Sequence, residues 1–556
     1  MKKRTLSLML ALMMLLTLVP ASLGFAEEDI VTLQVFSMQS NTSGLQDNSY
    51  WAEILRRDLG IQIELMPAGD QAGDKLDSYM VSGDLPDVVI FKDDYKYVTN
   101  AIEANLLVNL DEHQDALPNA YANAINGIEY FRDNVSLNTG IAYAIPNNVT
   151  TQSSDSGITS AGPYLRWDLY KALGYPVVEN VEDYLKLLED MLALEPTNPD
   201  GQKNYGISLF SDWDGVFNYP ARVLAEFTGV TPQNFNFQER DFVNGTFTSI
   251  FDDNSAYKRA LKFYFTANQM GILDPDSMTQ GFGDYWDKAT AGRVFFSFWS
   301  WGFGSYATAE KDNEGIGYKP VYFSNEKQVR EDGPKYIGEY QAFAISKSTK
   351  HLEKALAFID YMYSYDGLWN LALGDQGVYW DLNEDGAPYI TELGWTMKND
   401  VIPFPNGGLV SDGLNTINAY GMPWLVKHPV YGYRMDTEDW IRTEFTPADS
   451  ALVVDWREFM GAENDLDYIT KHDLSVMPPF APMTPMPDEI EQIVNRVGDM
   501  TKTESWKMIF AKDAEEFEAL FDAMAEKAIG MNVETADNWV IETYAAALES
   551  GAVYMK

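Results

Sequence analysis

Apolar positions recur on two periods in this chain, and the switch between them predicts its elements. Residues 32–36 read as a strand, and 49–59 (SYWAEILRRDL) carry helical spacing that ends at Gly60. Residues 61–66 form the next strand, and 73–82 a helix stopped by Gly83. Residues 87–91 (DVVIF) are apolar throughout, as in a strand covered on both faces. Strands alternating with helices imply a parallel sheet with helices on both sides. Ligands of such sheets bind at the carboxyl ends of strands, which points to residues 37–41 and 91–94.

Further along, 164–173 (YLRWDLYKAL) has helical spacing and a glycine, Gly174, placed to end a helix. Asn180 is a preferred helix N-cap, and Glu182 and Asp183 suit the positive end of a helix over 184–194. Residues 205–210 read as a strand, and 255–270 as a helix. Residues 376–380 and 388–391 read as a hairpin closed by the Asp385-Gly386 turn, and helices are expected from about 488, 513 and 535.

The most telling stretch is 293–303, RVFFSFWSWGF. A buried strand is predicted here that opens into a small-residue loop. Two tryptophans, Trp299 and Trp301, stand at the strand end beside Ser300 and Gly302, a composition that suits a flat apolar ligand face such as a sugar ring. Trp213 lies between Asp212 and Asp214, so a ring could stack there while carboxylates accept hydroxyl hydrogen bonds. Packing alone would also account for any one of these tryptophans.

Composition narrows the function classes. At 556 residues, two or more lobes are expected. Forty basic against 83 acidic residues give a net charge of −43, which argues against nucleic acid and anionic membrane surfaces as partners and mildly favours a neutral ligand. The absence of cysteine excludes disulfides, thiolate metal sites and cysteine nucleophiles. Residues 1–26 have the basic start, apolar core and small-residue end of a secretory leader cleaved before Glu27, so the chain is expected to be exported to the cell surface, the extracellular space or the periplasm. It is not anchored through a lipidated cysteine.

Residues 79–89, YMVSGDLPDVV, resemble a signature of the extracellular solute-binding proteins (family 1-like, carbohydrate or oligosaccharide type) of ABC importers. The segment 106–110 followed by a helix over 111–125, and a strand over 142–147, are similar to that family's next segments. The stretch 337–364 (IGEYQAFAISKSTKHLEKALAFIDYMYS) is the strongest match: a strand crossing back to the first lobe, then an amphipathic helix with Leu352, Ala355, Leu356 and Ile359 inward. The resemblance covers nearly all of the chain after the leader and thins between about 394 and 473.

The resemblance implies an α/β, periplasmic-binding-protein-like fold of type II, with two α/β lobes, a multi-strand hinge and a ligand cleft between them. The N-terminal lobe would take 27–150 plus about 336–372, and the C-terminal lobe, with insertions, about 151–335 plus about 373–556. The implied function is capture of a sugar, expected to be an oligosaccharide of plant or algal origin, and delivery by hinge closure to membrane permease subunits. A monomer without cofactor or catalytic role is expected. Trp299 occupies the family's cleft tryptophan, with Trp301 and Trp213 as further stacking platforms. Tyr340, Gln376 and Tyr379 are expected as secondary contacts, and Asp212 and Arg166 as polar ones; Gln376 stands where related proteins carry a glutamate.

Two stretches invite comparison with calcium loops. Residues 195–205 lie where related proteins often carry an Asp/Asn-rich calcium loop, but Thr197, Pro199 and Lys203 occupy positions that would need oxygen ligands, so a metal-free loop is expected. Asp381, Asn383, Asp385 and Glu392 fit an EF-hand expression, but Pro388 at its eighth position and the hairpin pattern make calcium the minority reading. The four histidines show no zinc spacing. Two other classes remain open: a secreted carbohydrate-active enzyme, which requires a carboxylate pair and turnover, and a peptide-binding receptor, which requires strand-pairing edges in place of stacked indoles.

Overall fold

The computed structural model describes residues 30–555 apart from 41–42, 48–49, 69–71, 93–94, 153–160, 331–332, 340, 401–419, 424, 436–439 and 447. The predicted leader, Tyr340 and parts of both expected strand-end loops lie outside the described residues. The chain forms two compact units. The first comprises the described residues up to Val149, Gly338–Met422 and His428–Tyr431; the second comprises Thr150–Ile337, Pro423–Lys427 and Gly432–Lys556.

The first unit is built on a six-stranded sheet in the order Gly44–Gln46, Ile61–Leu65, Val31–Ser37, Val88–Phe91, Ala342–Ile345, Ala144–Pro146. The central strand Val31–Ser37 runs parallel to Ile61–Leu65 and Val88–Phe91, joined to them through the helices Tyr50–Leu59 and Ala72–Ser82. The returning strand Ala342–Ile345 inserts antiparallel between Val88–Phe91 and Ala144–Pro146 and is wholly buried. The 79–89 motif has a local physical basis. Gly83 takes φ +71° to end its helix, and Asp87 accepts hydrogen bonds from the Gln34 N–H (2.9 Å) and the Thr349 hydroxyl (2.5 Å), tying three segments together. The following helix, Leu352–Met362, buries the expected Ala355, Leu356 and Ile359 and also Phe358, while Leu352, expected inward, is only half-buried at its first position.

The second unit holds a three-stranded sheet, Phe296–Trp299, Ala161–Arg166 and Tyr318–Pro320, with Ala161–Arg166 central and antiparallel to both. A large apolar core surrounds it, drawing on the helices Asp183–Leu194, Ala256–Gln269 and Asp488–Ile509. Ser255 caps Ala256–Gln269 through the Lys258 N–H (3.1 Å). The C-terminal helices Asp488–Ile509, Ala514–Gly530 and Val533–Gly551 form at the expected places and lock onto Ala256–Gln269 through Tyr257–Ser505 (2.9 Å) and Gln269 to the Ala511 carbonyl (2.9 Å). Among the described residues no helix is long and apolar enough to cross a membrane.

Three expectations are corrected. Residues 164–166 are strand, and only Trp167–Ala172 is helix, because Tyr164 and Leu165 fill the centre of the sheet. The helix expected over 111–125 breaks into the short pieces Leu110–Ala116, Pro118–Asn123 and Ile125–Tyr130: His113 leaves helical φ/ψ, and Pro118 cannot continue the preceding turn. Residues 205–210 form no continuous strand, because Tyr205 bridges to Val294 while Ile207 bridges to Leu273, splitting their partners.

Candidate functional site

The Phe296–Trp299 strand delivers the aromatic cluster. Its register against Ala161–Arg166 slips between Ser297 and Trp299, where the Ser297 hydroxyl accepts from the Trp299 N–H (3.1 Å) and donates to the Trp299 carbonyl (2.9 Å). The chain then turns, the Gly302 N–H reaching the Trp299 carbonyl (3.2 Å). A Cβ at Gly302 would lie 2.2 Å from the Ser297 hydroxyl and 3.0 Å from the Trp299 ring, so the turn tolerates only glycine. The Tyr285 hydroxyl pins it by donating to the Gly302 carbonyl (2.6 Å).

This turn stacks Trp301 on Trp299, with centroids 4.9 Å apart and rings 16° from parallel. Trp299 is only 5% exposed and Trp301 41%, so Trp299 backs a platform whose accessible face is Trp301. Trp213, 38% exposed, lies 5.4 Å from Trp299 and 6.2 Å from Trp301 and stacks on Phe282 (4.7 Å, 23°). Trp286, half-buried, stands 6.4 Å from Trp301, and Tyr219 stacks on Trp299 (6.0 Å, 26°). The three predicted tryptophans are thus brought together in one cluster. Phe282, Trp286 and Tyr219 join them without having been singled out. For the first two a signal existed, since aromatic residues four apart on the helix Phe282–Thr290 share a face.

Polar groups fix the loop that carries Trp213. One oxygen of Asp212 accepts from the Phe282 N–H (2.7 Å) at the start of the Phe282–Thr290 helix, docking the loop where the helix dipole favours an anion. Asp214 accepts from the Tyr219 N–H (2.7 Å) and the Trp506 indole N–H (2.6 Å). Burial pushes its carboxyl up to about 6, against the lowering effect of those two hydrogen bonds. Asn218, fully buried, caps the Tyr219–Glu226 helix through the Ala221 N–H (3.0 Å).

The remaining predicted contacts lie elsewhere. Arg166 is 2% exposed, and its guanidinium is taken by Asp168 (2.7 and 2.9 Å) and Glu195 (3.2 Å) and packed over Tyr306. It holds the central strand to its neighbours. Gln376 and Tyr379 belong to the first unit. Gln376 is exposed, with its amide 3.5 Å from Asp381, whereas Tyr379 is buried edge-on against Tyr50 (5.9 Å). Tyr340 is outside the described residues.

Both calcium motifs are held by internal hydrogen bonds in this structure. In residues 195–205, Asn198 accepts from the Gln202 N–H (2.9 Å) while its own amide donates to Gln202 (3.0 Å) and to the Ala291 carbonyl (3.3 Å), and Lys203 pairs with Thr197. In the second, Trp380–Leu382 pairs with Pro388–Ile390 as a hairpin, and Asn383 spends its carbonyl oxygen on the Asp385 and Ala387 N–H groups. Among the described residues no group of three or more His, Cys, Asp or Glu could hold a metal.

No protein-family profile matches the chain, and no curated protein matches it. Solved structures do. The fold is that of solute-binding proteins of ABC transporters. Among those matched is the Streptococcus pneumoniae substrate-binding protein FusA, an EF-hand mutant in complex with fructo-nystose, at TM-score 0.58 and 16% identity over 93% of this chain and 99% of that one. Others are the alginate-binding protein AlgQ2 without calcium ion (0.56, 18%, 94% and 98%) and an HMO binding solute-binding protein from Bifidobacterium longum infantis (0.54, 16%, 92% and 98%).

Proposed function

We propose that this chain is the exported, non-catalytic substrate-binding protein of an ABC importer, and that it captures an oligosaccharide on the aromatic platform of its second unit. The observation that carries the reading is the pair of accessible indoles, Trp301 and Trp213, backed by Trp299 at a strand end within a solute-binding-protein fold. A sugar ring offers C–H faces to such a platform, while its hydroxyls need acceptors of the kind Asp212 supplies. Release to membrane permease subunits would follow from two lobes that close on ligand and open against the transporter. Ligand favours the closed state through contacts made only there. Gln376 and Tyr340 are proposed as contacts from the first lobe.

Thermal unfolding of residues 27–556 against a panel of oligosaccharides, with product analysis of the same samples, tests this. A ligand of the native state raises the unfolding free energy by RT ln(1 + [L]/Kd), about 2.7 kcal/mol at a hundredfold excess over Kd. A rise with one glycan family and unchanged glycan supports the reading. Cleavage of the glycan moves the protein to the enzymes, and a rise with peptides alone moves it to the peptide receptors.

A further inference from the structure

We infer that the sugar units stacked on this platform are uncharged, so that the ligand is a neutral oligosaccharide and uronates are excluded. The inference rests on the sugar-binding reading above and adds the ligand's charge class. A uronate carboxylate laid against indole rings loses water and needs a cation or a fork of N–H donors in exchange. Among the described residues of the second unit, three cations by the platform are each already engaged. Arg222, packed over Tyr219, donates to Glu226 (2.6 Å) and to Gln233. Lys288, two residues beyond Trp286, is held by Asp274 (2.7 Å), Asp276 (2.9 Å) and Gln280 (2.7 Å). Lys502, which acts on Asp214, pairs with Asp499 (3.0 Å).

Carboxylates, by contrast, are exposed on the elements that carry these rings. Asp212 flanks Trp213, and Asp284 and Asp287 are exposed on either side of Trp286. A second carboxylate among them would add like-charge repulsion. The nearest gathering of cations rings Tyr205, with Lys203 at 5.1 Å, Arg293 at 5.6 Å and Lys288 at 5.8 Å. Tyr205 is bridged to Val294, five residues before Trp299, and so lies about 16 Å away along extended chain. Lys203 and Arg293 therefore stand apart from the indoles, and Lys288, the member next to Trp286, is the lysine already held by Asp274, Asp276 and Gln280.

The test uses the full chain after the leader and follows indole fluorescence together with melting temperature. Two sets of probes are compared at equal length: neutral oligomers from glucans, mannans and fructans, and oligouronates from pectin and alginate. Choline forms a third arm, because acid-rimmed aromatic clusters also hold quaternary ammonium ions. A neutral oligomer is expected to bind at least tenfold tighter than any oligouronate, with a Kd that changes less than twofold between 0.05 and 0.5 M salt. Asp287→Lys is expected to raise oligouronate affinity at least fivefold and leave neutral affinity unchanged. An oligouronate that binds as tightly as the neutral set and weakens with salt overturns the inference while leaving sugar capture intact. Binding of choline alone overturns both, as does silence across all three arms.

Discussion

Trp299 and Trp301 are two residues apart and stacked, yet their burial separates what they do. Trp299 is enclosed by Phe298, Trp213, Tyr219 and Trp301, so it belongs to the core as much as to the site. Trp299→Ala is expected to cost about 3–5 kcal/mol of stability, as for other buried large aromatics. Trp301 has far less to lose. Trp301→Ala is expected to leave the melting temperature within a few degrees of wild type and to weaken glycan affinity tenfold or more, about 1.4 kcal/mol. Calorimetric titration beside a melting curve separates the two residues. Retained affinity in Trp301→Ala would place the ligand elsewhere. Sequence alone offered both tryptophans at a strand end. It could not offer the bulge at Ser297 that slides Trp299 inward, because that depends on the partner strand Ala161–Arg166.

At the scale of elements, the C-terminal helix Asp488–Ile509 reaches the site through a side-chain hydrogen bond. The Trp506 indole N–H donates to Asp214, one residue beyond Trp213, on a loop closed by the Tyr219 N–H. Trp506→Phe keeps an aromatic ring in place and removes that donor. It leaves a buried carboxylate oxygen unpaired, at a cost of about 1–3 kcal/mol. The expected outcome is a lower melting temperature together with weaker glycan binding, and a still higher Asp214 pKa, because a hydrogen bond favouring the charged form is gone. Wild-type affinity in this variant would show that Trp213 is held without the helix. Elements with a strong local signal were legible: the helix expected over 255–270 forms, Gly83 ends another, and the apolar DVVIF run is a central strand. Those whose type depends on distant partners were not. The YLRWDL stretch fits both periods, and the sheet decides it. The platform was half legible for the same reason, since Trp213 and Tyr219 meet Trp299, and Phe282 meets Trp213, only through tertiary contacts.

Over the whole molecule, the response to pH is shaped by the three carboxylates of the second unit that burial raises most. Burial pushes Asp214 and Asp537 up to about 6 and Glu239 up to about 7, even though backbone N–H groups donate to each of them. Glu239 accepts from the Ala256 and Tyr257 N–H groups (2.7 and 3.0 Å) at the start of the Ala256–Gln269 helix. Asp537 joins the last helix to the strand Gln238–Asp241 through the Phe237 N–H (3.3 Å) and the Gln238 amide (2.9 Å). In the unfolded chain these groups titrate near their ordinary values, about 3.9 and 4.3. The folded state therefore binds their protons more tightly. The stability they contribute is full below about pH 4 and is lost as pH rises through 6 to 7. Other carboxylates act in reverse. Glu518, hydrogen-bonded by Lys258, and Asp467, hydrogen-bonded by Lys471, are held below their ordinary values, and what they contribute is lost on acidification below about pH 4. The melting temperature is thus expected to rise from pH 8 to pH 5 and to fall again below pH 4. Relief of self-repulsion in a chain of net charge −43 has the same sign between pH 8 and 5, so the slope alone does not assign the cause. Glu239→Gln does: it removes one titrating group and changes the net charge by a single unit, so it should flatten the curve above pH 6 while leaving the limb below pH 4 in place. A melting temperature that is level or falling from pH 8 to 5 in the unsubstituted protein would mean that these three carboxylates stay ionised in the folded state.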